Sequence, residues 1–155
     1  MIKKIDHIAI AVQNLESALE TFRNVLGCAP GAIRIEEVPS ENVRVAFISI
    51  GESKIELLEP MNNESPIAKF LAKNGDGMHH IAFETDDIEK ETQRLASMNI
   101  NPLGLPKEGA GGKKIVFLHP KETKLKCFVI TTIIKMMNGR RAFEKRQTIG
   151  WIASR

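Results

Sequence analysis

The chain has 155 residues, of which 43% are hydrophobic and 26% charged, and its net charge at pH 7 is +3. This composition is typical of a folded globular protein and excludes a disordered chain. No apolar run approaches the roughly 20 residues that a membrane-spanning helix needs, so we expect no membrane segment. The amino terminus leads directly into a strand-like run, so we expect no signal peptide. Two cysteines, Cys28 and Cys127, in a chain without a secretory signal predict reduced thiols and a cytoplasmic protein.

The charge is unevenly distributed along the chain. Residues 124–155 hold eight basic residues and one acidic residue, a net charge of +7, which leaves −4 for the first 123 residues. A basic ending can be an electrostatic footprint for nucleic acid or a membrane surface. The other interpretation is a loosely packed or aberrant carboxyl terminus. Because no nucleic-acid-binding module is recognisable, we predict that the protein binds neither nucleic acid nor membrane.

The first half of the chain predicts one strand, one helix and then three strands. Lys4–Val12 is short, apolar and rich in β-branched residues, as a strand is. The apolar spacing of Leu15–Leu26 predicts a helix, with Asn14 as its N-cap and Gly27 at its end. The further strands are expected at Ala32–Val38, Val43–Ile50 and Lys54–Leu58. A short helix from Pro66 to Leu71 then follows.

The second half repeats this order. Residues 80–83 (HIAF) echo residues 7–10 (HIAI), and Ile88 follows Leu15 at the same offset of 73 residues, which indicates an internal duplication. A helix is expected from about Ile88 to Met98, with strands at Lys114–Leu118 and around Lys126–Ile134. We therefore predict an α+β fold in which two paired βαβββ modules form an open, barrel-like metal cleft. The predicted parts are a first module at 1–62, a connector helix at 63–76, a second module at 77–134 and an atypical basic tail at 135–155.

Two histidines stand at equivalent places in the two halves, near the starts of equivalent strands. If the halves are related by a pseudo-twofold axis, His7 and His80 face each other across the cleft. Together with the carboxylate of Glu56, which lies among apolar residues, they suit a divalent ion such as Co, Mn, Ni or Zn. The alternatives are that the histidines are satisfied core or edge residues and that Glu56 faces water on an edge strand.

Two other histidines are weaker candidates for metal binding. Because side chains alternate along a strand, His79 is expected to point away from the face that carries His80. His119 precedes Pro120 in a predicted turn, where a structural role is expected.

Several segments together resemble the methylmalonyl-CoA epimerases of the vicinal oxygen chelate superfamily, which also includes glyoxalase I and extradiol dioxygenases. The resemblance covers roughly residues 3–123. The segments that carry it are Asp6–Val12 (DHIAIAV), Ile55–Pro60 (IELLEP), Glu64–Leu71 (ESPIAKFL), Gly77–Phe83 (GMHHIAF), Gly109–Ile115 (GAGGKKI) and Phe117–Lys121 (FLHPK).

The resemblance implies a metal-dependent epimerase that is frequently a homodimer. A divalent ion chelates an acyl-CoA substrate and stabilises the enolate formed when the C2 proton leaves, while acid and base groups exchange the proton. By similarity His7, Glu56 and His80 are metal ligands. Ser65 and Lys113 are candidate contacts for coenzyme A, although a helix cap and a mobile surface lysine are alternative interpretations. The residues that transfer the proton are not assigned.

The sequence departs from the family at the position of the fourth ligand. The family's spacing and the 73-residue offset from Glu56 both place a glutamate at position 129, where this chain has Val129. We hypothesise that a frameshift near codon 124 replaced the ending 124–155, and a naturally diverged ending is the rival explanation. The alternative functions are therefore a glyoxalase-like lyase or isomerase and a catalytically impaired small-molecule-binding protein.

Overall fold

The computed structural model describes residues 1–109, 112–123 and 128–133. Eight strands and four helices occur in these ranges. The strands are β1 Ile2–Ala11, β2 Ile33–Val38, β3 Val43–Ile50, β4 Ser53–Pro60, β5 Gly77–Thr85, β6 Lys107–Gly109, β7 Lys113–Leu118 and β8 Phe128–Ile133, and the helices are α1 Leu15–Leu26, α2 Pro66–Asn74, α3 Ile88–Ala96 and α4 Pro120–Thr123. Short 3-10 turns at Pro30–Ala32 and Pro39–Glu41 flank β2.

Local sequence features set the ends of the helices. The side chain of Asn14 accepts a hydrogen bond from the backbone N of Ser17 at 2.8 Å, and Gly27 adopts a left-handed conformation with φ of 63°, so the predicted start and end of α1 are confirmed. Helix α2 begins at Pro66 as predicted but runs to Asn74, three residues beyond the predicted end at Leu71.

Strand β6 was not predicted, because Lys107–Gly109 lies in a segment that reads as a glycine-rich loop. Gly109 pairs with Lys113 across β6 and β7. A Cβ atom at Gly109 would stand 2.8 Å from Cγ2 of Ile115, so a larger residue at position 109 would force the Ile115 side chain to shift.

All eight strands form one sheet in the order β2-β3-β4-β1-β5-β8-β7-β6. In the first half β1 pairs in parallel with β4, and in the second half β5 pairs in parallel with β8. The halves meet where β1 and β5 pair antiparallel at the centre. Each half repeats the same strand order outward from this seam, so the predicted α+β fold of two paired βαβββ modules in a curled, half-barrel sheet is confirmed.

The two faces of the sheet are covered differently. On one face, helix α1 packs Leu15 and Leu19 against Ile48 and Leu57. The registers of the strands place Ile130 on the same face, and Ile88 of α3 packs against it. The opposite face carries Ala9, Phe47 and Leu58, on which α2 packs Ile67 and Leu71. The predicted metal site belongs to this second face.

Helix α2 therefore packs on the first half as well as connecting the two halves. The division of the chain at residues 62 and 76 stays a prediction, and the predicted tail at 135–155 lies outside the described residues. In the part of the chain that the structure describes, no helix is both long and apolar enough to span a membrane.

Candidate metal centre

His7 and His80 lie side by side on the two central strands. The register pairs His7 of β1 with Ala82 of β5, and Ala9 of β1 with His80 of β5. Each histidine therefore lies opposite an alanine of the other central strand. The two Nε2 atoms are 2.9 Å apart, and the rings meet edge to face at an interplanar angle of 76°. The structure thus brings together the pair that the duplication predicts.

Glu56 reaches the same face from β4, opposite Ala9. Its Oε1 atom lies 3.4 Å from Nδ1 of His7, and 13% of its side chain is exposed. Burial raises the pKa of Glu56, although the charges of His7 and Lys54 oppose the shift. Because β4 lies between β3 and β1, the edge-strand interpretation of Glu56 does not hold.

Asp6 and His79 were not predicted as site residues. The pairing of β1 with β5 skips Asp6 between Ile5 and His7, and it skips His79 between Met78 and His80, so each is the extra residue of a β-bulge. A bulge breaks the alternation of side chains. For this reason the expectation that His79 points away from His80 is wrong: their Nδ1 atoms are 2.9 Å apart, and His79 also meets the ring of Phe70 edge to face.

Asp6 binds three side chains at once. Its Oδ2 atom lies 2.8 Å from Nδ1 of His7, while Oδ1 accepts a short hydrogen bond from Nζ of Lys113 and lies 3.7 Å from Nζ of Lys54. Burial alone would raise the pKa of Asp6, but the hydrogen bonds from His7 and Lys113 and the charges of both lysines hold it well below its usual range. Asp6 is therefore a buried carboxylate that stays ionised at neutral pH.

The predicted coenzyme A contacts occupy different environments. Lys113 is an inward-facing residue, because its Nζ binds Asp6 and lies 3.8 Å from Glu84, with 16% of the side chain exposed. Ser65 is fully buried, and its Oγ accepts a hydrogen bond from the backbone N of Ile67 at the start of α2. This geometry favours the helix-cap interpretation of Ser65 and excludes a mobile surface lysine at position 113. A contact with coenzyme A stays a prediction for both residues.

Val129 occupies the place in the second half that Glu56 occupies in the first. Glu56 pairs with Ala9 and Phe47, and Val129 pairs with Ala82 and Phe117. Val129 is 2% exposed and offers no donor atom. Two residues further along the same face of β8, the buried hydroxyl of Thr131 has no hydrogen-bond partner among the described residues.

Burial keeps the imidazoles of His79 and His80 neutral at pH 7. It lowers the pKa of His79 to about 4, and it lowers the pKa of His80 well below its usual value, with the charges of His7 and His79 adding to the effect. A neutral imidazole is the form that binds a metal ion through its free lone pair.

The facing histidines fit a metal ion, but the set of donors is incomplete. The two Nε2 atoms lie within hydrogen-bonding distance of each other, at 2.9 Å, and two imidazoles with a nearby carboxylate are donors that a first-row divalent ion would take. Glu56 lies beside Nδ1 of His7 instead of the Nε2 pair, so within the described ranges no three His, Cys, Asp or Glu side chains close on one point. Val129 supplies no donor at the position equivalent to Glu56 in the second half.

His119 lies outside this group. Its Nδ1 accepts a hydrogen bond from the backbone N of Lys121 at 3.2 Å, at the beginning of α4. This contact agrees with the structural role that the sequence predicts for His119.

The chain is similar to known proteins over most of its length. The family model of the Glyoxalase/Bleomycin resistance protein/Dioxygenase superfamily matches residues 6–117. The ethylmalonyl-CoA/methylmalonyl-CoA epimerase of Cereibacter sphaeroides is 46% identical over 125 residues, which are 79% of this chain and 92% of that protein. The human mitochondrial methylmalonyl-CoA epimerase is 41% identical over 121 residues, 77% of this chain and 68% of that protein.

Solved structures of epimerases have the same fold. A Streptomyces coelicolor methylmalonyl-CoA epimerase variant in complex with 2-nitronate-propionyl-CoA is 34% identical and superposes with a TM-score of 0.77, covering 86% of this chain and 99% of that one. A methylmalonyl-CoA epimerase in complex with methylmalonyl-CoA and NH4+ is 33% identical with a TM-score of 0.78, covering 87% of this chain and 97% of that one.

Proposed function

The chain belongs to the Glyoxalase/Bleomycin resistance protein/Dioxygenase superfamily, and from this membership we propose that it epimerises methylmalonyl-CoA or a closely related acyl-CoA at C2. The proposal is supported by the identities of 40–46% to methylmalonyl-CoA epimerases that span more than three quarters of the chain. The structural observation that carries it is the 2.9 Å approach of His7 and His80 on one face of the sheet.

Three side chains of this chain would hold a divalent ion such as Co, Mn, Ni or Zn. His7 and His80 would contribute Nε2 atoms, and Glu56, which lies 3.4 Å from Nδ1 of His7, would contribute its carboxylate. When bound, the ion would supply Lewis-acid stabilisation of the negative charge that develops on the thioester oxygen as the C2 proton leaves. Three protein donors leave coordination positions open for the substrate, as catalytic sites require.

The surroundings of the histidines are suited to acid–base chemistry next to a carbonyl group. Ala9, Ala82 and Val129 are buried and apolar on the same face, so they exclude water around the two imidazoles. A site with little water strengthens the electrostatic interactions that stabilise developing charge.

The proposal extends to partners and assembly. The substrate class is an acyl-CoA, and the resemblance to the family implies a homodimer, which analytical ultracentrifugation would test. The cytoplasmic location inferred from the sequence stays a prediction.

Exchange of the C2 proton tests the proposed reaction directly. Metal-stripped protein is incubated with methylmalonyl-CoA in deuterium oxide, with and without cobalt, and deuterium at C2 is followed by mass spectrometry. We expect exchange that depends on cobalt and on His7, with the His7→Ala variant inactive. No exchange by this chain or by Val129→Glu would contradict the assignment of the substrate.

Val129 supports a second candidate function, a binding protein that keeps the cleft but no longer catalyses the reaction. In this case the chain binds the acyl-CoA without exchanging its proton, and Val129→Glu recovers the exchange. A glyoxalase-like lyase or isomerase shares the same scaffold, and turnover of a glutathione hemithioacetal without exchange of methylmalonyl-CoA would favour it.

A further inference from the structure

Four side chains at the centre of the sheet form one continuous row of hydrogen bonds. Asp6 contacts His7, His7 contacts His80, and His80 contacts His79, with distances of 2.8, 2.9 and 2.9 Å between their nitrogen or oxygen atoms. Only the two histidines of the middle contact belong to the predicted metal site. The outer two members are the bulge residues of β1 and β5.

We propose that Asp6, held in place by Lys113, is a positioning residue that fixes the proton of His7 on Nδ1, so that the lone pair of Nε2 faces the gap between His7 and His80. An ionised carboxylate only accepts hydrogen bonds. Asp6 is paired with the ammonium groups of Lys113 and Lys54, so Nδ1 of His7 must be the donor in its contact with Asp6. In the uncharged form of an imidazole whose Nδ1 carries the proton, the lone pair is on Nε2. This inference deepens the proposed function, because that lone pair is the one that a metal ion would use.

The same reasoning sets the direction of the whole row. Since Nε2 of His7 accepts, the proton in its contact with His80 resides on Nε2 of His80 in the metal-free chain, and His80 would have to lose this proton before its Nε2 could bind a metal ion. Nδ1 of His80 is then an acceptor, and Nδ1 of His79 donates to it. Asp6 thus sets the tautomers of all three histidines, although it contacts only one of them. Its oxygen lies 2.8 Å from Nδ1 of His7, nearer than the 3.4 Å approach of Glu56 to the same atom.

Lys113 determines which oxygen of Asp6 faces His7. Its Nζ binds Oδ1, and this leaves Oδ2 for the histidine. In the Asp6→Asn variant the same lysine would hold the carbonyl oxygen of the new amide, so the amide nitrogen would face Nδ1 of His7. An NH2 group donates, and the proton of His7 would then move to Nε2.

Nuclear magnetic resonance tests this inference without metal or substrate. Long-range proton–nitrogen spectra of the isotope-labelled chain at pH 8 report which ring nitrogen of each histidine carries its proton. We expect His7 protonated on Nδ1 and His80 on Nε2 in the wild type, and His7 protonated on Nε2 in Asp6→Asn. A wild-type His7 protonated on Nε2, or on both nitrogens, would overturn the proposal whether or not the chain is an epimerase.

Cobalt affinity, measured by titration, is a second test of the proposal. It also distinguishes a Lys113 that positions Asp6 from a Lys113 that only contacts the substrate. Loss of an outer partner of a metal-binding histidine weakens metal affinity by about 10- to 100-fold, and we expect this loss in Asp6→Asn and Lys113→Met. Lys114→Met is the matched control, because Lys114 pairs with Glu89 on the surface and should keep the wild-type affinity.

Kinetic constants complete the comparison at Lys113. A rise in KM for the acyl-CoA with unchanged cobalt affinity in Lys113→Met would assign the lysine to coenzyme A and contradict its positioning role. Far-UV circular dichroism and thermal melting verify that each variant is folded. If Asp6→Asn does not fold, the wild-type tautomers and the cobalt affinity of Lys113→Met carry the test, since Asp6 stays in place in both proteins.

Discussion

Glu56 and Val129 occupy equivalent positions in the two halves of the sheet. Each lies opposite an alanine of a central strand, Ala9 or Ala82, and opposite a phenylalanine on its other side, Phe47 or Phe117. The pseudo-twofold arrangement that brings His7 against His80 would therefore place two carboxylates around the pair if position 129 were acidic. This chain has only one of them.

Restoring a carboxylate at this position should make stability depend on metal. Val129 is 2% exposed, so we expect Val129→Glu to lower the free energy of unfolding by about 2–4 kcal/mol without metal. Cobalt should then raise the melting temperature more in the variant than in the wild type, because an ion that binds only the folded state stabilises it. Thermal melting with and without cobalt measures both effects.

A second buried valine provides the control. Val116 is 1% exposed but packs toward α3, on the opposite face of the sheet. Val116→Glu should lose stability without recovering it in cobalt. Equal recovery by both variants would show that the effect is not specific to position 129.

Removal of one central histidine should abolish most metal binding. His80→Asn takes away one of the two facing Nε2 atoms, so we expect cobalt affinity to fall by at least about 100-fold, more than an outer partner costs. Competition with a chromophoric chelator measures the affinity. The matched control is His119→Asn, since His119 bonds to the backbone of Lys121 away from the cleft and should leave the affinity unchanged.

The ion pair between Glu91 and Arg94 on α3 should make the free energy of unfolding depend on pH. Glu91 is almost fully buried and accepts hydrogen bonds from Nε and Nη2 of Arg94. These hydrogen bonds are the largest cause of a pKa of Glu91 that lies below its ordinary 4.5. A carboxylate whose pKa is lower in the folded state stabilises the folded protein at any pH above its unfolded-state pKa of about 4.5. This contribution is lost as the pH falls through the pKa of the folded state.

Comparison with a neutral side chain isolates this contribution. Urea unfolding should show Glu91→Gln less stable than the wild type at pH 7, with a difference that narrows below about pH 4.5. A difference that stays constant from pH 7 to pH 2.5 would show that the charge of Glu91 does not contribute.

The unpaired hydroxyl of Thr131 should cost stability. Because its buried Oγ1 finds no partner in the described part of the chain, we expect Thr131→Val to raise the free energy of unfolding by about 1 kcal/mol. Thr85 is equally buried, but its Oγ1 donates to the backbone oxygen of Met1 at 3.2 Å. The same substitution at Thr85 should therefore lower stability by about 1 kcal/mol, and urea unfolding of both variants would reveal the opposite signs.

The elements of the first half and the pairing of the histidines were accessible from the sequence. Helix α1 and strand β3 have the bounds that apolar spacing, an N-cap and a glycine predict, because these are local features of the chain. The facing of His7 and His80 was accessible as well, since a duplication with a constant offset implies symmetric placement. Strand β6 was missed, because three residues beside a glycine-rich loop carry no periodic pattern.

The sequence by itself determined which side chains are available: two equivalent histidines, one equivalent carboxylate and a valine in place of a second. Only the tertiary structure decided which other side chains contact the two histidines. Bulges at Asp6 and His79 turn both residues toward the central histidines, and Lys113 turns inward to Asp6. The reason is physical: alternation and helical spacing describe one element at a time, whereas a bulge and a buried ion pair arise from the pairing of strands that are distant in the chain.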